Sequence, residues 1–458
     1  MRYLPHTEEE IEQMLKTIGV PSIEALFESM PASKRLKRPL ALEPALDEVT
    51  LMDHLEALSH KNSATTALSF LGAGAYSHHI PPVVDQLLLR GEFYTAYTPY
   101  QAEIAQGTLQ TIYEFQTMVC QLFAMDVANA SMYDGASATA EAVLMARRVT
   151  QRNVCLLSEG LHPEYAQTVR SYVQWLDEGQ QSQIRTTPLS AAGTTDPDQL
   201  RKNLDASVAA VIVGYPNFVG CVEDLTALRA LCNQHGVLLI TATAEPYALA
   251  LLKAPGDCGV DIAVGEGQPL AVPPQFGGPG VGLFCCNERY VRHMPGRLVG
   301  ETVDSDGQRG FVLTLTTREQ HIRRERATSN ICTNQGLVAL AFAIRLALLG
   351  KSGFVDVAKT CLNAASYLRN AIEKLPGFAL SYEAPSFNEF VVRSDTHTAT
   401  EVLAALQTQG ILGGVPLSRF FPERTHEFLV AVTERHTKEN IDRFTQALRG
   451  IGEKGSSK

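Results

Sequence analysis

Four short runs, Asn153 to Leu157, Val208 to Val213, Val237 to Ala242 and Asp261 to Val264, are apolar and rich in β-formers. The intervals hold helical patterns such as His162 to Leu176 and Asp224 to His235. A chain that alternates in this way builds a mostly parallel sheet with helices on both faces, the α/β class. Ligands of such sheets sit at the carboxyl ends of the strands. Chemistry is therefore expected just after each run.

The flanking segments have other characters. Residues 1–65 read as a helical arm: Glu8 to Ile18 follows a Thr7 cap, Ile23 to Phe27 follows Ser22, and PASKRLKRPLALEP holds too little apolar material for a core. Such an arm suits a surface on another domain or subunit. Residues 66–335 carry the alternating pattern. Within them Tyr94, Tyr97 and Tyr100 crowd a Thr/Pro loop ahead of a helical pattern from Glu103 to Met125. Aromatic hydroxyls of this kind suit a ligand or partner surface, and they equally suit the edge of a core. Gly135, Ala136 and Ser137 open a strong helix from Ala138 to Val149. Small residues there leave N–H groups accessible to an anion, although an ordinary capped start looks the same and no P-loop lysine is present.

Residues 336–450 read as a small α+β domain. Its first helix starts at Leu337 and ends at Gly350, a second runs from Val355 to Leu375, and the last spans Lys438 to Leu448; residues 451–458 form a tail expected to be disordered. A formal charge of -10 and the lack of a basic stripe argue against nucleic acid. Nine cysteines with no C-x-x-C pair disfavour both a zinc signature and a disulfide scaffold. The amino end lacks the apolar stretch of a signal peptide, and no apolar run approaches the ~20 residues that span a bilayer. A cytoplasmic location without membrane contact is the expectation.

The stretch VDIAVGEGQPLAVPPQFGGPGVGLFC, Val260 to Cys285, reads as a strand, a polar turn, a Pro/Gly loop and a second strand. Enzymes of the aminotransferase-like class that use pyridoxal phosphate (PLP) place a desolvated, nucleophilic lysine just after such a strand. Here no lysine occurs between Lys253 and Lys351. The strand before it, VLLITATAEPYAL, has Thr241 and Thr243 where these enzymes place an aspartate against the pyridine nitrogen, and Glu245 comes later. GGPGVG at 277–282 lies between strands and is no dinucleotide fingerprint. The loop from Thr328 to Gln335 offers hydroxyls and amides, Ser329, Asn330 and Thr333 among them, for a phosphate or for a buried turn. Arg323, Arg324 and Arg326 are expected to pair with Glu319 and Glu325 on a solvated face.

Taken together, FLGAGAYSHHIPPVV (70–84), FYTAYTPYQAEIAQGTLQTIYEFQT (93–117), NASMYDGASATAEA (129–142), VGEGQPLAVPPQFGGPG (264–280), the long segment 296–335 and SFNEFVV (386–392) resemble the subunit 1, or alpha, branch of the glycine cleavage system P-protein. Val219 in YPNFVG and Pro269 in GEGQPL are small departures in loops. The resemblance implies a fold-type I PLP-dependent transferase and an α2β2 enzyme whose beta subunit holds PLP on its lysine. That complex decarboxylates glycine and passes the aminomethyl group to the lipoyl arm of the H-protein. Pro269 then falls at or near the lysine position and Thr241 at or near the aspartate position. Tyr94, Tyr97, Tyr100, Ser329, Asn330 and Thr333 are expected to complete the partner's site. Two other readings stay open. One is a regulatory or structural pseudoenzyme that binds small anions at Gly135 to Ser137. The other is an independent PLP aminotransferase or decarboxylase using Lys253.

Overall fold

The alternating runs become a central sheet, seen in a computed structural model that describes residues 5–176 and 184–456. Its strands are β1 (Val127–Ala128), β2 (Val154–Ser158), β3 (Ile184–Thr187), β4 (Val208–Gly214), β5 (Leu238–Thr243), β6 (Ile262–Glu266) and β7 (Gly282–Cys286), in the order β1-β7-β6-β5-β4-β2-β3. From β3 to β6 every neighbouring pair is parallel, whereas β7 runs antiparallel to both β6 and β1. Successive side chains go to opposite faces. Leu156, Val211, Leu239, Ala263 and Leu283 enter one core, and Cys155, Ile212, Ile240, Ile262 and Phe284 enter the other. Both faces are buried, which explains why the strands read as continuous apolar runs.

The longer helices before the carboxyl part are α1 (Glu8–Ile18), α2 (Glu48–Ser59), α3 (Gln106–Phe123), α4 (Gly135–Thr150), α5 (Pro163–Val173), α6 (Leu225–His235) and α7 (Gly336–Ile372). Phe115 and Phe123 of α3, Leu228 of α6 and Phe342 of α7 close the first core, and Val143 and Met145 of α4 with Val169 of α5 close the second. By length and composition α7 is apolar enough to cross a membrane, contrary to the expectation that no such stretch exists. The chain nevertheless breaks inside it at Gly350 (φ +57°), and Val338 to Ala343 are buried against the sheet, so this is a core helix.

A hairpin of β8 (Leu298–Val303) and β9 (Arg309–Thr314) turns at Gly307 (φ +76°), where the Asp306-Gly307 pair was expected to turn. The carboxyl part holds the antiparallel sheet β10-β11-β13-β12, from β10 (Phe378–Leu380), β11 (Glu389–Ser394), β12 (Val415–Pro416) and β13 (Glu427–Ala431). It is backed by α8 (Ala399–Gln407) and α9 (Lys438–Ser456), whose Val402, Leu406, Phe444 and Leu448 join Phe390 and Phe428 in a third core. Helix α9 runs past Leu448 and takes in most of the expected tail; residues 457 and 458 lie outside the described residues. Gly452 permits this, because a Cβ there would sit 2.3 Å from the Pro376 carbonyl oxygen.

The chain divides into two units, Met1–Ser63 and Ala64–Lys458. In the first, Thr7 and Glu10 form a reciprocal capping box on α1 and Asp47 caps α2. None of its described residues is buried.

Candidate functional site

The carboxyl ends of β2, β4 and β5 meet the amino end of α5 around a cavity whose walls include Tyr76, His162, Tyr165, Asn217, Glu245 and Asn388. Its free volume is about 20 Å³, room for roughly one water, whereas sites for drug-sized ligands measure about 300–1,000 Å³. The chain's own rings occupy the space. His162 stacks on Tyr165 with centroids 4.8 Å apart and meets the edge of Phe218 at 4.9 Å. Its Nε2 lies 2.8 Å from the Ala73 carbonyl, and burial pushes its pKa down, so the ring stays neutral.

Beside the cavity, α4 begins at Gly135. Glu266, the last residue of β6, turns its carboxylate onto that helix end: Gly135 N–H donates to Oε2 at 2.9 Å, and the N–H groups of Gln268 and Val281 each donate to Oε1 at 2.9 Å. Burial pushes this carboxyl up to about 7, although the three donors pull it down. Two residues along, Ser137 N–H donates to Asp134 Oδ1 at 2.7 Å in a capping box. Gly135 and Ser137 thus bind carboxylates of the same chain, and Ala136 lies between them. Gly135 is required by a close approach, since a Cβ there would lie 2.4 Å from Tyr165 Oη.

The other expected positions are scattered. Pro269 is buried in the single turn Gln268–Ala271 and is absent from the cavity wall. Thr241 pairs with Val213 and Ala263, and strand alternation sends it with Leu239 to the opposite face; Ala242 and Ala244 line the cavity instead. The Thr241 hydroxyl is buried without a hydrogen-bond partner. Lys253 is exposed in a loop and does not touch the cavity. Glu245 does line it, but its carboxylate is engaged by His78 at 2.8 Å and Asn388 at 3.1 Å. With no lysine on the wall and the helix end already filled, a planar, phosphate-bearing cofactor does not fit these residues.

A second cluster gathers the loops. Tyr94, Tyr97 and Tyr100 are 61%, 83% and 61% exposed. Arg297, at the foot of β8, is buried below them with its guanidinium 5.5 Å from the Tyr100 ring centroid. Its Nη1 donates to Thr98 Oγ1 at 3.3 Å and reaches Thr333 Oγ1 at 3.5 Å, and its Nε lies 3.5 Å from Glu319. One cation therefore joins the tyrosine loop to the 328–334 loop. Ser329 Oγ accepts from Ile331 N–H within its own turn, and Asn330 is exposed. Glu319 is buried and faces Arg297, which corrects the expected pairing with Arg323, Arg324 and Arg326; only Arg326 and Glu325 meet on the surface, at 3.8 Å. Glu266 left a faint sequence signal, an acid ending an apolar run. For Arg297, His162 and Tyr165 only the folded contacts reveal the role.

A sequence profile described as glycine cleavage system P-protein matches residues 1–448. A relative from Sorangium cellulosum, called probable glycine dehydrogenase (decarboxylating) subunit 1, is 56% identical over 98% of this chain and 100% of its own length. The crystal structure of an inhibitor-bound glycine decarboxylase, the P-protein of the glycine cleavage system, superposes with a TM-score of 0.87 at 42% identity, covering 98% of this chain and 100% of that one. A sphingosine-1-phosphate lyase from Burkholderia pseudomallei shares the fold alone, with a TM-score of 0.66 at 16% identity over 93% and 94% of the two chains. The fold is that of the fold-type I PLP-dependent enzymes, and the chain belongs to the glycine cleavage system P-protein family.

Proposed function

We propose that this chain is the cofactor-free half of a two-subunit glycine dehydrogenase (decarboxylating), in the cytoplasm. In an α2β2 complex the partner subunit carries PLP on its own lysine and supplies the carbanion chemistry. The complex releases CO2 from glycine and passes the aminomethyl group to the lipoyl arm of the H-protein. The observation that carries the reading is the closed cavity, with a carboxylate where a phosphate would meet a helix end. The relatives' designation as subunit 1 supports a partner subunit. In this reading Pro269 and Thr241 stand at or near the lost lysine and aspartate positions, residues 1–65 form an arm, and 66–335 and 336–450 act as large and small domains.

The contribution of this chain is positioning. The loops held by Arg297 present Tyr94, Tyr97, Tyr100, Asn330 and Thr333 to the partner's site, where they bind, orient and exclude water. Reconstitution with the partner tests this: Tyr97→Ala with Asn330→Ala is expected to weaken PLP retention and glycine-dependent CO2 exchange together. Unchanged values for both would remove the loops from the active site. Incubating the lone chain with PLP and borohydride gives a second check, since a reduced pyridoxyl-lysine on this polypeptide would overturn the assignment.

A further inference from the structure

Behind the cavity, three side chains of different chemistry converge. His78 Nδ1 lies 2.7 Å from Glu434 Oε2, Cys361 Sγ lies 3.6 Å from that same oxygen, and the donor atoms of all three residues fall within 4.8 Å of one another. They come from the segment ahead of helix Pro82–Leu88, from the second half of α7 and from the loop after β13. His78 and Cys361 are buried, and the Glu434 side chain is 15% exposed.

The outer contacts of His78 are equally specific. Its Nε2 lies 2.8 Å from Glu245 Oε2, and that carboxylate is held by Asn388 Nδ2 at 3.1 Å and, through Oε1, by Tyr247 N–H at 3.1 Å. The Tyr247 ring covers the imidazole at 4.4 Å. Metal-binding histidines are held in this way, one nitrogen facing the ion and the other donating to a carboxylate that sets tautomer and orientation.

We propose that His78 Nδ1, Cys361 Sγ and the Glu434 carboxylate form a site for a divalent cation of the zinc class, with Glu245 as the outer partner of His78. A nitrogen, a thiolate and a carboxylate are the donor set that tetrahedral zinc takes. With Zn–S near 2.3 Å and Zn–O near 2.1 Å, a tetrahedral ion separates sulfur from oxygen by about 3.6 Å; Cys361 and Glu434 already stand 3.6 Å apart. The same ion separates nitrogen from oxygen by about 3.4 Å, so Glu434 must withdraw from its 2.7 Å contact with His78. Glu434 is the partly exposed member of the three, placed in a loop, and its side gives the ion entry and leaves a fourth position for water.

Charge balance favours the exchange. With imidazolium and thiol, the group of His78, Cys361, Glu245 and Glu434 carries one net negative charge. Binding a divalent ion displaces one proton from Nδ1 and one from Sγ, both leaving to solvent, and the net charge is unchanged. No uncompensated charge is added to the interior. The ion would tie the His78 segment to α7 and to the small sheet. A sequence search for paired ligands misses this site because its donors come from three distant elements.

The test uses the full-length chain, stripped with a chelator and passed through a desalting column, with zinc chloride and then cobalt chloride as probes. The expected result is retention of an equivalent of zinc and, with cobalt, a thiolate-to-metal charge-transfer band. Cys361→Ala, a small apolar replacement, abolishes the band, and Glu245→Gln weakens zinc retention by about 10–100-fold. Circular dichroism of each variant confirms the fold. If the wild-type chain retains no zinc above background and shows no cobalt–thiolate band, the cluster is an imidazolium clamped by two glutamates and the proposal falls. It falls equally if Cys361→Ala keeps the wild-type band.

Discussion

The cavity at the strand ends and the loop cluster around Arg297 are both polar, and they have opposite fates. In and beside the cavity, polar groups close on their own chain: beside it Glu266 answers three backbone N–H groups, in its wall Glu389 accepts from Ala73 N–H at 2.6 Å and Tyr76 Oη at 2.8 Å, and stacked rings fill the remaining space. Around Arg297 the buried base is only partly satisfied internally, its Nε having no hydrogen-bond partner, while the tyrosines are exposed, Tyr97 by 83%. Buried polar groups must find partners within the fold. Large exposed aromatics mark surfaces that meet something else. On the reading proposed above, a site that has lost its ligand is sealed by the first rule, and one that serves a neighbour stays open by the second.

The largest expected effect breaks the open cluster at its base. Arg297→Ala removes the buried cation from Glu319 and leaves it the half-exposed His321 at 3.6 Å and the charge of Arg318, at a cost of up to about 3 kcal/mol; denaturant unfolding checks this, and partner binding should fall with it because both loops lose their tie. Next, Glu266→Ala tests the closed region. Removing the acceptor strands three N–H donors at a cost of about 3 kcal/mol, and inorganic phosphate should restore part of the lost melting temperature in the variant but none in the wild type. Equal phosphate shifts in both chains would break the contrast.

Glu389 gives a pH test of the same sealed wall. Burial raises its carboxyl from 4.5 to about 7, so the folded state holds a proton that the unfolded chain releases. The associated stability is fully present below pH 4.5 and is lost as pH rises through 7, by up to about 3 kcal/mol. Glu389→Gln keeps the bond from Ala73 N–H and reverses the other, its amide N–H donating to Tyr76 Oη, and should flatten that slope, as read from unfolding curves between pH 5 and 8. The smallest effect on stability belongs to Tyr97→Ala, within about 0.5 kcal/mol. Its expected signature is a partner affinity weakened by about tenfold, measured by titration calorimetry.

Much of the architecture was legible in the chain. Strand β5 was expected at Val237 to Ala242 and runs Leu238–Thr243; the break in α7 was expected at Gly350, and Gly350 has left-handed φ. Elements defined by partners were not. β1 and β12 have two residues each and carry no period. Thr316 to Arg326 forms a series of short turns, bounded by left-handed φ at Leu315 (+53°) and interrupted by it at Arg324 (+54°). Thr241 was placed on its strand by the sequence, but which face it takes was not legible, because one step of register exchanges the two sides of a sheet.

The sequence by itself determined the parallel sheet, the two-sided core and the absence of lysine from 254 to 350, because periodicity and residue type are local properties of the chain. Only the tertiary structure decided that Glu266 would seal a helix end 131 positions away. It alone gathered two loops on Arg297 and set His78 beside Cys361 and Glu434. Contacts between distant segments depend on how packed elements meet, and no local pattern of side chains encodes that meeting.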